Sequence, residues 1–127
     1  MKRAVVLVLF CLIAVCICGR AGHARPDYHK QFEAMYKESK IAAAAEKAKC
    51  NVCHYGKSKK DRNDYGTALS KSLTKEQYDS LKEKKDELNK KVTEALKAAV
   101  KEKSKSGKTF GELIDAGQLP GTAPEGN

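Results

Sequence analysis

The stretch "TKEQYDSLKEKKDELNKKVTEALKAAVKEK", residues 74–103, decides the fold class. Tyr78, Leu81, Leu88, Val92, Ala95 and Ala99 keep a three-four apolar rhythm broken only at Lys85, which is the pattern of a helix lying along a neighbour. Thr74 and Gln77, three positions apart, form a capping box that starts it. The spacing predicts one long helix over 74–103. Small alanines and a lysine on the seam favour packing within the chain over a coiled-coil dimer, although the sequence does not give the oligomeric state.

Outward from this segment the rest of the chain also reads as helix. Downstream, Ser104 to Lys108 interrupts the pattern, and Thr109 with Glu112 makes a second capping box before Leu113 and Ile114. Gly117 ends this short helix in a left-handed turn, and Leu119 before Pro120 tucks back onto the body. Upstream, Tyr65, Leu69 and Leu73 recur every four residues in a helix starting near Asn63. Asp27 caps a first helix carrying Tyr28, Phe32, Met35 and Tyr36 on one face, and Ile41 with the following alanines extends helical propensity toward Cys50. No segment alternates apolar and polar residues as a half-buried strand does. The expected class is all-α.

Residues 1–24 read as an export signal: Lys2 and Arg3, an apolar run over 4–17, then Gly22, His23 and Ala24 before the cut. The run has about 14 apolar residues before Gly19 and Arg20, short of the roughly 18 needed to span a bilayer. Cys11, Cys16 and Cys18 follow large residues, unlike a lipidation site, and leave with the signal. Domain organisation follows: signal peptide 1–24, helical domain 25–120, disordered tail 121–127. The mature 103 residues hold 22 basic and 16 acidic groups, a net +6. So small a domain has a marginal core unless something fills it. The charge favours acidic partners, and lysines spread among carboxylates in an exported chain do not indicate nucleic acid.

Residues 49–62, "KCNVCHYGKSKKDR", carry the chemistry. Cys50 and Cys53 have the spacing at which two thiols add across the vinyl groups of haem, and His54 directly behind is placed to give its imidazole to the iron. Three other readings use the same residues. A Cys50–Cys53 disulfide closes a short loop with little stabilisation and gives His54 no part. A zinc site lacks ligands, since the mature chain has no further cysteine and, besides His54, only His29. A thioredoxin-like pair needs strands around it. The cofactor expected is one covalent haem c with its iron, held by Cys50, Cys53 and His54, and Phe32, Tyr36, Tyr65, Leu69, Phe110, Leu113 and Ile114 are the candidate apolar wall. An export signal agrees, because such attachment occurs outside the cytoplasm.

The chain resembles the short secreted c-type cytochrome-like proteins of planctomycete bacteria. The resemblance rests on the Cys-Asn-Val-Cys-His-Tyr-Gly-Lys stretch at 50–57, on Arg62-Asn63-Asp64-Tyr65-Gly66, and on Thr109-Phe110-Gly111-Glu112-Leu113-Ile114. It covers most of the mature chain and implies haem c attachment.

The chain departs from a familiar soluble cytochrome in one respect: after His54 it has neither methionine nor histidine. The sixth ligand must be upstream, be a lysine such as Lys57, Lys59 or Lys60, or not exist. On one unbroken helix Met35 would lie roughly 22 Å from the motif at about 1.5 Å per residue, out of reach. The same argument counts against His29. Three functions are therefore expected in order: a periplasmic or secreted single-electron carrier that docks on acidic patches of redox partners, a haem-based binder or sensor of small gases with an open sixth position, and a haemless helical interaction protein. An open iron would also react with peroxide, but no second histidine or arginine is placed as an acid-base partner, and no enzymatic activity is assigned.

Overall fold

The computed structural model describes residues 25–123; the expected signal and residues 124–127 of the expected tail lie outside them. The fold is helical with one very small sheet. In chain order it has α1 (Pro26–Tyr36), α2 (Ala42–Ala48), a 3-10 turn (Lys49–Val52), β1 (His54–Tyr55), β2 (Asp61–Arg62), α3 (Asp64–Ser72), α4 (Lys75–Ser80), α5 (Lys85–Ala99) and α6 (Phe110–Asp115). α5 is the central element, packing on both α1 and α3 through buried Leu88, Val92, Ala95, Leu96 and Ala99. The seam read from sequence is thus buried within the chain. No helix among the described residues is long and apolar enough to cross a membrane.

Both capping boxes form: Thr74 with Gln77 starts α4, and Thr109 with Glu112 starts α6. Gly117 takes φ 77°, and a Schellman arrangement closes α6, with Gln118 N–H donating to Leu113 O at 2.9 Å and Gly117 N–H to Ile114 O at 2.9 Å.

Elsewhere the structure corrects the sequence expectation. The single helix over 74–103 is two helices, because a straight continuation would carry Lys85 into the core. Instead the chain turns at 81–84 and leaves the Lys85 side chain 65% exposed. α1 likewise does not run on to Cys50. It stops at Tyr36, whose carbonyl accepts from both the backbone and the hydroxyl of Ser39, and Ile41 then turns fully into the core. Asp27 is not the cap of α1. Arg25 holds that position and Pro26 follows it, while the buried Asp27 carboxylate accepts from the Tyr78 hydroxyl at 2.5 Å. Two strands were not expected: β1 and β2 pair antiparallel with His54 opposite Arg62. Leu119 is exposed and it is Pro120 that is buried. Thr122, read from sequence as tail, donates its N–H to Asp64 Oδ1 at 2.6 Å.

Candidate functional site

The motif begins where α2 ends. Lys49 adopts a left-handed φ of 51°, turning the chain out of α2 into the 3-10 turn, which closes when Cys53 N–H donates to Cys50 O at 3.2 Å. A 3-10 helix has about three residues per turn, so Cys50 and Cys53, the residue that caps it, are one turn apart. Both are free thiols. Cys50 is exposed and Cys53 half-buried, and the Cys53 thiol is pushed up to about 12, first by burial and then by the neighbouring Cys50.

His54 enters β1 directly behind. Its Nδ1 lies 3.1 Å from the backbone oxygen of Asp61. A carbonyl oxygen only accepts, so Nδ1 carries the proton and the lone pair is on Nε2. A histidine held this way by its other nitrogen is oriented for ligation.

The turn is clamped from below by Asn63, the cap of α3, which is 3% exposed. Its Nδ2 donates to Val52 O at 3.1 Å, its Oδ1 accepts from Gly66 N–H at 2.9 Å, and its backbone N–H donates to Cys53 O at 3.0 Å. Only glycine fits at 66, because a Cβ there would stand 2.2 Å from the Cys53 oxygen. Next to it the Asp64 carboxylate gathers three backbone N–H groups, from Tyr65, Lys105 and Thr122, at 3.0, 3.0 and 2.6 Å. The sequence offered Asn63 as a helix start. Its grip on residues 52 and 53, and that of Asp64 on 105 and 122, are long-range and leave no local signal.

The residues nominated as an apolar wall do not line an open cleft. Phe32, Tyr65 and Phe110 pack edge to face, with centroids 6.1 Å and 5.2 Å apart, and with Leu69, Leu113 and Ile114 they are buried as the protein's own core. Tyr36 is half-buried, tilted against Phe32, and Met35 also packs on this core. Two concavities among the described residues, of about 350 and 410 Å³, are not lined by Cys50, Cys53 or His54.

Three buried polar atoms have no hydrogen-bond partner among the described residues: Tyr28 Oη, His29 Nε2 and Tyr65 Oη. Both tyrosine hydroxyls are raised, burial being the main cause, with Cys53 a lesser contributor to each. The Arg25 guanidinium approaches the Tyr28 hydroxyl without the alignment of a hydrogen bond. Buried polar groups in folded proteins are nearly always paired, so these three are exceptions within the fold. The donor types at the motif are those of haem c, two thiols and an imidazole with Nε2 free, while the nominated wall residues are packed as core rather than as an open cleft beside them. The motif fits zinc poorly, because no three His, Cys, Asp or Glu side chains among the described residues gather around one point.

The Cys53 thiol gives a pH prediction for the chain without attached haem. The folded state holds this proton more tightly than the unfolded state, where the pKa is near 9.0, so its contribution is fully present below about pH 9 and is lost as pH rises toward 12. The tyrosines with raised hydroxyls titrate in the same range, so the comparison is with Cys53→Ala. Thermal melts should show stability falling more steeply in the parent, by a few kcal/mol between pH 9 and 12. Parallel curves would show that burial of this thiol is not linked to folding.

No protein-family model, no curated protein and no solved structure matches the chain.

Proposed function

We propose that the protein is a single-haem c-type electron carrier, exported to the periplasm or secreted, with Cys50 and Cys53 as thioether anchors and His54 as the proximal ligand. The observation that carries this reading is the His54 ring. Directly behind two thiols one 3-10 turn apart, it is tied through Nδ1 to Asp61 O and keeps Nε2 for a ligand. When bound, haem supplies one-electron chemistry. The chain's own residues do the rest: Asn63 and Gly66 hold the turn in place, and the imidazole is oriented by a fixed carbonyl. The partners are redox proteins with acidic docking patches. Residues 49–62 hold Lys49, Lys57, Lys59, Lys60 and Arg62 against Asp61 alone, so +4 of the mature chain's net +6 surrounds the motif.

The competing function is gas binding at an open sixth position. The reduced absorption spectrum separates the two. The carrier should give a low-spin spectrum that carbon monoxide leaves unchanged, whereas a high-spin spectrum that shifts on adding carbon monoxide would replace electron transfer with ligand binding.

A further inference from the structure

Residues 120–122 lie over the side chain that holds the motif. Gly117, at φ 77°, turns the chain out of α6; Pro120 is then fully buried, and Gly121 sits directly on the Asn63 carboxamide. The approach is so close that a Cβ at 121 would stand 1.9 Å from Asn63 Nδ2 and 2.2 Å from its Cγ. Thr122 N–H donates to Asp64 Oδ1 at 2.6 Å. Asn63 in turn donates from Nδ2 to Val52 O and from its backbone N–H to Cys53 O. A continuous line of contacts therefore runs from the C-terminal segment through Asn63 to the turn that carries both thiols.

This segment is held more lightly than what it covers. Among the described residues beyond Gln118 the backbone makes one hydrogen bond, that of Thr122, and both Leu119 and Thr122 are exposed. An irregular chain end with so few bonds opens at a lower free energy than the helical body. Opening acts on the motif. With Gly121 lifted, water reaches the Asn63 carboxamide and competes with it for the Val52 carbonyl, so the clamp on residues 52 and 53 loosens. In the closed form the Cys53 thiol reacts slowly, because burial pushes it up to about 12 and the thiolate is the nucleophile. Contact with water returns it toward its ordinary range.

We propose that residues 117–122 form a strap latched on Asn63 and Asp64, and that release of this strap is the local opening through which Cys53 becomes reactive. The device is built into the polypeptide and does not depend on the haem reading. Whatever electrophile bonds to Cys53 meets it with the strap lifted.

The test measures the rate at which iodoacetamide alkylates Cys53 in the full exported chain without haem, followed by mass, beside urea unfolding of each sample. Cys50→Ala is present throughout and removes the exposed thiol. Gly121→Ala drives a methyl group against Asn63, and Thr122→Pro, at an exposed position, removes the N–H that Asp64 accepts. Each should raise the alkylation rate roughly ten-fold or more, and by a larger factor than it raises the global unfolding constant. Leu119→Ser, at an exposed position of the same segment, should leave the rate at the parent value. Parent rates in Gly121→Ala and Thr122→Pro would overturn the proposal, as would rates that rise only in step with global unfolding, or an equal rise in Leu119→Ser.

Discussion

Gly66→Ala is expected to destabilise the fold by about 2–3 kcal/mol, a large effect for the addition of one methyl group. The new Cβ would meet the Cys53 carbonyl oxygen at 2.2 Å, and that oxygen cannot move freely because it accepts from Asn63 N–H at 3.0 Å. A backbone collision of this kind costs about 3 kcal/mol or more, and the better helix propensity of alanine offsets at most about 1. Urea unfolding followed by circular dichroism measures the difference. The relief must come from moving the motif off α3, so the Cys53 thiol should also become accessible to a thiol reagent in the haem-free chain. A variant as stable as the parent with Cys53 still protected would show that α3 does not press on the motif as described.

Asn63→Ala should cost about 3–5 kcal/mol, among the largest single-residue effects in the molecule. It leaves the buried Val52 carbonyl and the Gly66 N–H without partners, and it removes the cap of α3. Asn63→Asp separates the two roles. A carboxylate still accepts from Gly66 N–H but faces the Val52 carbonyl as a second acceptor. If the Asp variant is nearly as unstable as the Ala variant in urea, the Val52 bond is what holds the motif; full recovery with Asp would reduce Asn63 to an ordinary helix cap.

Much of this architecture is legible from local pattern. The two capping boxes, the Tyr65-Leu69-Leu73 stripe, the apolar seam of α5 and the glycine that ends α6 all depend on residues three or four positions apart, and each is found where the spacing puts it. The misread elements depend on distant partners. The break at 81–84 lies between Tyr78, held by Asp27 51 positions away, and Lys85, which stays in water. The break at 37–41 is made by Ile41 turning into the core, while the residues around it are ordinary helix formers. For the site, type and spacing identify Cys50, Cys53 and His54, but the residues that hold them, Asn63, Gly66 and Asp61, act through backbone atoms that composition does not encode.

The central claim is that Cys50 and Cys53 carry haem covalently, and the intact mass of the exported chain tests it most directly. Protein made by cells able to attach haem should exceed the mass of its processed polypeptide by about 616 Da, the mass of haem itself, and Cys50→Ala with Cys53→Ala should abolish the increment. An unshifted mass, or one lowered only by the two hydrogens lost to a Cys50–Cys53 disulfide, would contradict the account and leave a haemless helical interaction protein in its place.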